Sequence, residues 1–163
     1  MNLAEYAAHD GLGLAELVRQ GTISSRELAE LALAAIDTTH ARLNAVIERF
    51  PKRVPAVRAA PDRSAPFCGV PFLIKDFPIE RNTLAEMGSA LAAGYRPECD
   101  SELMVRLRRA GVVTLGRTTT SEFGLMALTV CEHTGITRNP WDTLRSIDPG
   151  PFLPPWISRT SQS

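Results

Sequence analysis

The first forty residues show hydrophobic and polar positions at helical spacing. The segment 12–20 carries apolar residues on one helical face and is followed by Gly21, which predicts a short helix that ends there. Behind Ser24, apolar side chains recur at intervals of three and four positions, which predicts an amphipathic helix as far as Asp37. Ser24 and Glu27 have the spacing of a capping box at its start.

Three shorter apolar stretches have the length of strands rather than helices. They are residues 44–47, residues 70–75 behind a Gly, and the β-branched stretch 112–115. A helix over 101–110, ended by Gly111, connects the second stretch to the third. This order predicts a right-handed βαβ unit within an α/β fold.

The remaining segments show little regular pattern. Four prolines exclude a continuous helix over 50–66, so we predict a solvated connector there. A further short helix is predicted within 118–128, and 129–141 is loop-like. We expect one α/β domain over 1–146, followed by a disordered, Pro-rich tail over 147–163.

Lys75 is the residue most suggestive of chemistry. It closes the predicted strand 70–75, and open α/β sheets place their ligand crevices at the carboxyl ends of strands. Because this strand should lie inside the molecule, we expect the Lys75 amine to be buried. Burial disfavours the charged form of the amine and so produces a general base. The chain has only two lysines, Lys52 and Lys75, among 18 basic residues, and arginine cannot take this role because it cannot lose its proton. A lysine that reaches water or pairs with Asp76 is the open alternative.

Charge and composition exclude several classes of protein. Eighteen basic and 18 acidic residues cancel, so we expect no direct nucleic-acid partner and no attraction to an anionic membrane. The first ten residues lack the features of a signal peptide, and no run reaches the roughly 18 apolar residues of a membrane span. Three widely spaced cysteines form neither a disulfide framework nor a metal-binding pattern. We therefore expect a cytoplasmic protein without a metal.

The stretch Gly69-Val70-Pro71-Phe72-Leu73-Ile74-Lys75-Asp76 resembles the lysine segment of the amidase signature family, whose members cleave carboxamides. Five further blocks follow in the family's order, and together they cover residues 5–145. These blocks are Met87-Gly88-Ser89, Asp100-Ser101, Leu107 to Gly111, Gly116-Arg117-Thr118 with Glu122-Phe123-Gly124, and Thr137-Arg138-Asn139-Pro140-Trp141-Asp142. The resemblance implies the N-terminal part of an α/β/α fold, with a mixed sheet and helices packed outside it.

The resemblance also assigns candidate site residues. It implies that Lys75 is the terminal base of a Ser–Ser–Lys relay acting on a small-molecule amide, with no metal or organic cofactor. Met87, Gly88 and Ser89 would line the substrate site, with Gly88 permitting close backbone approach to a ligand and Ser89 donating a hydrogen bond. Asp76 is a further candidate for orienting the site. An ordinary turn is the open alternative for residues 87–89.

The resemblance stops after Ser146. The family continues with a Gly- and Ser-rich stretch that supplies the nucleophile, and this chain continues with unrelated residues. We therefore expect negligible activity from the chain alone. A shifted reading frame near codon 146 is favoured over a genuine short protein as the reason. The alternative functions are a non-catalytic interaction module and a glutamyl-tRNA amidotransferase-like subunit, and we expect oligomers to form through an exposed sheet edge.

Overall fold

Three helices precede the first strand and pack against one another. The structure, a computed structural model, describes residues 1–57, 61–127 and 129–146. The helices are α1 (Leu3–Ala7), α2 (Gly11–Arg19) and α3 (Ser25–Leu43). The buried face of α2 and the first turns of α3 enclose one apolar cluster, which Cys68 and Val70 complete.

The predicted helix starts are confirmed, and one predicted end is wrong. The Ser24 hydroxyl accepts from the Glu27 amide at 3.2 Å, and the Glu27 carboxylate accepts from the Ser24 amide at 2.8 Å, so the capping box is formed. Helix α3 does not end at Asp37 but continues to Leu43, where Asn44 takes a left-handed conformation with φ 49°. Its last turns are largely exposed and lack a continued apolar stripe, and no Gly or Pro interrupts them.

A three-stranded mixed sheet forms the centre of the described part of the chain. The strands are β1 (Val46–Arg49), β2 (Pro71–Lys75) and β3 (Val113–Thr118), and their order is β1-β3-β2. Strand β1 runs antiparallel to β3, whereas β2 runs parallel to it. The parallel pair is connected through α4 (Glu102–Arg109), so the predicted β-α-β order and the mixed sheet are both confirmed.

Helix α3 covers one face of this sheet. A second apolar cluster joins the helix to the central strand and to a 3₁₀ helix over Pro51–Ala56. Its buried members are Ala29, Ala32, Val54, Val57 and Leu115. Because β3 is the central strand, its middle residues are buried, and its carboxyl end is held between two neighbours.

The segments after β3 depart from the sequence predictions. The helix predicted within 118–128 is absent from the described residues there, which contain only a 3₁₀ turn over Glu122–Gly124. Residues 129–141, predicted to be a loop, contain the two short paired strands β4 (Val130–Cys131) and β5 (Gly135–Ile136). Tertiary hydrogen bonds replace those of a helix here, since the Phe123 amide donates to the Met87 carbonyl at 2.8 Å and not to the carbonyl four residues earlier.

The predicted disordered tail over 147–163 lies outside the residues that the structure describes. Among the helices of the described ranges, none combines the length and the apolar character that crossing a membrane requires.

Candidate functional site

Lys75 is the last residue of β2, and its side chain is exposed. The expectation of a buried amine is therefore wrong for this chain. Side chains alternate along a strand, and the buried neighbours of Lys75 are Ile74 and Asp76, at 1% and 0% exposure. Within the described ranges β2 is an edge strand, and no hydrogen bond or ion pair reaches the Lys75 amine from them.

Asp76 is fully buried and binds three donors. Its two carboxylate oxygens accept from the backbone amides of Glu86 and Gly88, each at 3.0 Å. The same carboxylate forms an ion pair with Arg117, which is also fully buried. The alternative pairing of Lys75 with Asp76 is therefore wrong, because the Asp76 carboxylate is used by Arg117 and by the chain that follows β2.

Arg117 brings a positive charge into the interior from the central strand. Burial lowers the pKa of its guanidinium, and the Glu48 carboxylate opposes this shift. Glu48 lies opposite Arg117 in the register of β1 and β3. Arginine keeps its proton even in such a place, so the contact with Asp76 is a buried ion pair. Breaking such a pair leaves an uncompensated buried charge, which costs about 3–5 kcal/mol.

Met87 and Gly88 form a left-handed turn beside Asp76. Their φ angles are 51° and 68°, and a side chain at Gly88 would place its Cβ 2.7 Å from the Thr120 carbonyl oxygen. The Met87 carbonyl in turn accepts from the Phe123 amide at 2.8 Å. Gly88 therefore lies close to the backbone of the chain after β3, and its approach to a ligand stays a prediction.

Ser89 is 1% exposed, and its hydroxyl is already used. It donates to Oε1 of Glu122 at 2.6 Å and accepts from the Leu91 amide at 3.2 Å. Donation to a substrate would require the bond to Glu122 to break. The sequence assigned no role to Glu122, although this residue belongs to a block that resembles the family. The spacing between the block of Ser89 and the block of Glu122 does not indicate that their side chains are in contact.

Glu86 connects this loop to the β4–β5 hairpin. Its carboxylate accepts from the Gly94 amide at 2.8 Å and lies 3.1 Å from the His133 ring. Burial by itself raises the pKa of Glu86, but the Gly94 amide, His133 and the charge of Arg96 together outweigh it, and the net pKa is lowered. Sequence reasoning missed this pair, which joins residues 47 positions apart. Within the same described ranges, no three His, Cys, Asp or Glu side chains lie together as metal ligands.

An apolar pocket of about 340 Å³ lies elsewhere, between α3 and the sheet. Residues from α3 and from all three strands line it, among them Ala32, Ile36, Val46, Phe72 and Leu115. Lys75 and residues 87–89 are not among its lining residues. The candidate site is thus the junction of the β2 end, the 86–89 loop and the chain after β3, which Asp76, Arg117 and Glu122 bring together.

The residues of this junction lie within the part of the chain that is similar to known proteins. The model of the family described as Amidase matches residues 27–150. A 6-aminohexanoate-cyclic-dimer hydrolase from Paenarthrobacter ureafaciens is 40% identical over 142 residues, which are 85% of this chain and 28% of the hydrolase. A glutamyl-tRNA(Gln) amidotransferase subunit of Cupriavidus necator is 38% identical over 138 residues, which are 81% of this chain and 27% of that protein.

A solved structure agrees with the sequence relatives. One 6-aminohexanoate cyclic dimer hydrolase superposes with a TM-score of 0.77 at 37% identity, over 85% of this chain and 29% of that one. The chain therefore spans less than a third of the length of the relatives that it matches.

Proposed function

The chain belongs to the amidase family, and from this premise we propose that it supplies the lysine-bearing part of an enzyme that hydrolyses the C–N bond of a carboxamide. The observation that carries the proposal is the position of Lys75. It stands at the carboxyl end of a parallel strand, next to a loop whose backbone is held by the adjoining residue, Asp76. Open α/β sheets bind their ligands at such ends.

The proposed role of Lys75 is that of terminal base. A neutral amine accepts the proton that leaves a nucleophilic serine hydroxyl, relayed through a second serine, while the serine oxygen attacks the amide carbon. The relay returns the proton to the leaving amine as the C–N bond breaks, and water then hydrolyses the ester left on the serine, giving the carboxylic acid and the free hydroxyl. The amine must be desolvated to be neutral at rest, so further protein has to cover it. The Paenarthrobacter hydrolase is more than three times as long as its matched segment. We infer that protein equivalent to the unmatched part of that hydrolase covers the Lys75 amine.

We expect the 163-residue chain by itself to have negligible activity. In the part of the chain that the structure describes, no serine hydroxyl is hydrogen-bonded to the Lys75 amine. The nucleophile and the donors that stabilise an oxyanion account for most of the rate enhancement in a serine hydrolase. Amide hydrolysis by the unaltered chain well above the uncatalysed rate would contradict this expectation.

A chimera tests the assigned role of Lys75. Residues 1–146 are joined to the part of the Paenarthrobacter hydrolase that follows its matched segment, and hydrolysis of the 6-aminohexanoate cyclic dimer is measured. Loss of a general base typically lowers kcat by about 10²–10⁴-fold, so Lys75→Ala should do so. Lys52→Ala is the matched control, because Lys52 is the other lysine and is also exposed. Full turnover by Lys75→Ala would overturn the proposal.

The second candidate is a glutamyl-tRNA amidotransferase component, supported by the 38% identity to the Cupriavidus necator protein. In that case the chain would release ammonia for transfer to a tRNA-bound substrate, and partner subunits would be required. Release of ammonia from glutamine, rather than hydrolysis of the cyclic dimer, by a chimera with that amidotransferase component would favour it. That the chain is a non-catalytic interaction module stays a prediction. Oligomers formed through the open edge of β2 also stay a prediction, which a measurement of the mass of the chain in solution tests.

A further inference from the structure

We propose that Asp76 is a positioning residue, which holds the loop of Met87, Gly88 and Ser89 in a single conformation against the end of β2. Only the activity part of this inference rests on the proposed function. The positioning itself concerns the conformation of the loop and can be tested without any activity.

The first argument is the way in which the carboxylate is used. One oxygen of Asp76 accepts from the Glu86 amide and the other from the Gly88 amide, each at 3.0 Å. These two amides, on either side of Met87, converge on one anion, as backbone amides do in the concave turns that bind anions in other proteins. Here the anion is a side chain of the protein itself, so the loop conformation depends on that side chain.

The second argument is the conformation that these bonds maintain. Met87 has a φ of 51°, which is unfavourable for a residue with a side chain, and Gly88 follows with 68°. Such backbone conformations persist only where the surroundings hold them in place. Arg117 pairs with the same Asp76 oxygen that accepts from the Glu86 amide, and its charge allows the carboxylate to remain charged while buried.

The third argument is the shortness of the link to Lys75. Asp76 follows Lys75 directly, and its own amide donates to the Thr118 carbonyl at 2.9 Å, which fixes it to β3. Asp76 therefore attaches the loop to the backbone beside the Lys75 amine, whereas the contacts with Phe123 and Glu122 attach it to the chain after β3. A change in the Asp76 side chain would move the loop relative to the amine without touching either.

Glu80 provides a control because it is also a buried carboxylate paired with arginine, although its arginine partners are partly exposed. It is 2% exposed and pairs with two arginines, Arg53 and Arg108, each at 2.9 Å. The amides of the 86–89 loop donate to Asp76 and not to Glu80. Substitution at Glu80 thus removes the charge of another buried carboxylate while leaving both loop amides bonded to Asp76.

The experiment is amide hydrogen exchange on the 163-residue chain, comparing the wild type with Asp76→Asn and Glu80→Gln. We expect Asp76→Asn to speed exchange at Glu86 and Gly88 by at least about tenfold while the Val113 amide keeps its protection, which is the signature of local opening. Glu80→Gln should leave Glu86 and Gly88 protected. Protection of Gly88 that survives Asp76→Asn would overturn the proposal.

A second variant covers the case in which Asp76→Asn does not fold. Asp76→Glu keeps the charge opposite Arg117, but the longer side chain cannot meet both amides, so we expect the same local loss of protection. Loss of protection throughout the sheet in both variants would show that Asp76 is a general structural residue and would overturn the positioning role.

The chimera adds a readout of function. Asp76→Glu should lower kcat by about 100-fold with KM changed only a few-fold, because a displacement of about 1 Å near a reacting centre has an effect of that size. Glu80→Gln should leave kcat nearly unchanged. Unchanged kcat together with loss of loop protection would overturn the claim that positioning serves catalysis. An inactive wild-type chimera would count against the proposed function, and the exchange result would still decide the positioning.

Discussion

Replacement of Gly88 by Ala probes the closest packing in the candidate site. Gly88 has a φ of 68°, and the added Cβ would lie 2.7 Å from the Thr120 carbonyl oxygen and 3.2 Å from that of Ser121. Both contacts are to backbone, which cannot rotate away as a flexible side chain can. Either the 86–89 loop or the chain after β3 must therefore move.

The expected cost has two parts. A left-handed conformation costs a residue with a Cβ about 1–2 kcal/mol relative to Gly. Overpacking a closely packed site costs about a further 1–3 kcal/mol. Gly94→Ala separates these parts, since Gly94 has a φ of 78° but nothing within 4 Å of an added Cβ. The stiffening of the unfolded chain by Ala is common to both variants and cancels in the comparison.

Urea denaturation of the two variants, followed by circular dichroism, measures the difference. We expect Gly88→Ala to be less stable than Gly94→Ala by about 1–3 kcal/mol with an unchanged slope m. For a chain of this size, this corresponds to a thermal midpoint lower by about 2–12 °C. Equal free energies of unfolding for the two variants would show that the loop does not pack against residues 120 and 121 in solution.

Three further predictions concern contacts around the site. The pKa of the Glu86 carboxyl is lowered in the folded state. Its contribution to the free energy of unfolding is therefore complete above the pKa of the unfolded chain, near 4.5, and disappears as the pH falls through the folded pKa. In urea denaturation from about pH 6 to about pH 3, Glu86→Gln should lose less stability than the wild type. Asn44→Gly keeps the left-handed conformation but loses the side-chain bonds to two carbonyls of the β4–β5 hairpin, which should lower the free energy of unfolding by about 1 kcal/mol. Asn44→Ala should lower it by about 1–2 kcal/mol more in the same assay, because Ala disfavours that conformation. Arg117→Met leaves Asp76 charged and unpaired, which should cost about 3–5 kcal/mol, and the double variant with Asp76→Asn should recover part of it; additive losses would argue against the ion pair.

The helices show how far local signals reach. The place of α2 followed from its apolar face. The start of α3 could be predicted, because the Ser24 cap and the Glu27 amide that it binds lie three residues apart in the sequence. The end of α3 could not, since the apolar stripe stops earlier than the backbone hydrogen bonds do. Asn44 ends the helix, and its side chain bonds to the carbonyls of Thr134 and Ile136, about ninety residues away.

The candidate site divides in the same way. The lysine strand and its place before a crossover helix were predicted, because a short apolar run bounded by Gly and ended by charges is a local pattern. The partners of Asp76, Ser89 and Glu86 were not predicted. The bonds to Arg117, Glu122 and His133 join segments that are separate in sequence, and the pairing of β2 with β3 brings the first of these together.

Which of two adjacent charged residues is buried was decided by the tertiary structure alone. Lys75 and Asp76 both follow the same apolar strand, and alternation requires only that they face opposite ways. The sequence by itself determined the strand, the helix starts, the β-α-β order and the membership of a family. The assembled sheet placed Arg117 and two backbone amides around Asp76 and left Lys75 exposed. The physical reason is that a buried charge requires donors on its own side of the strand, and these come from distant parts of the chain.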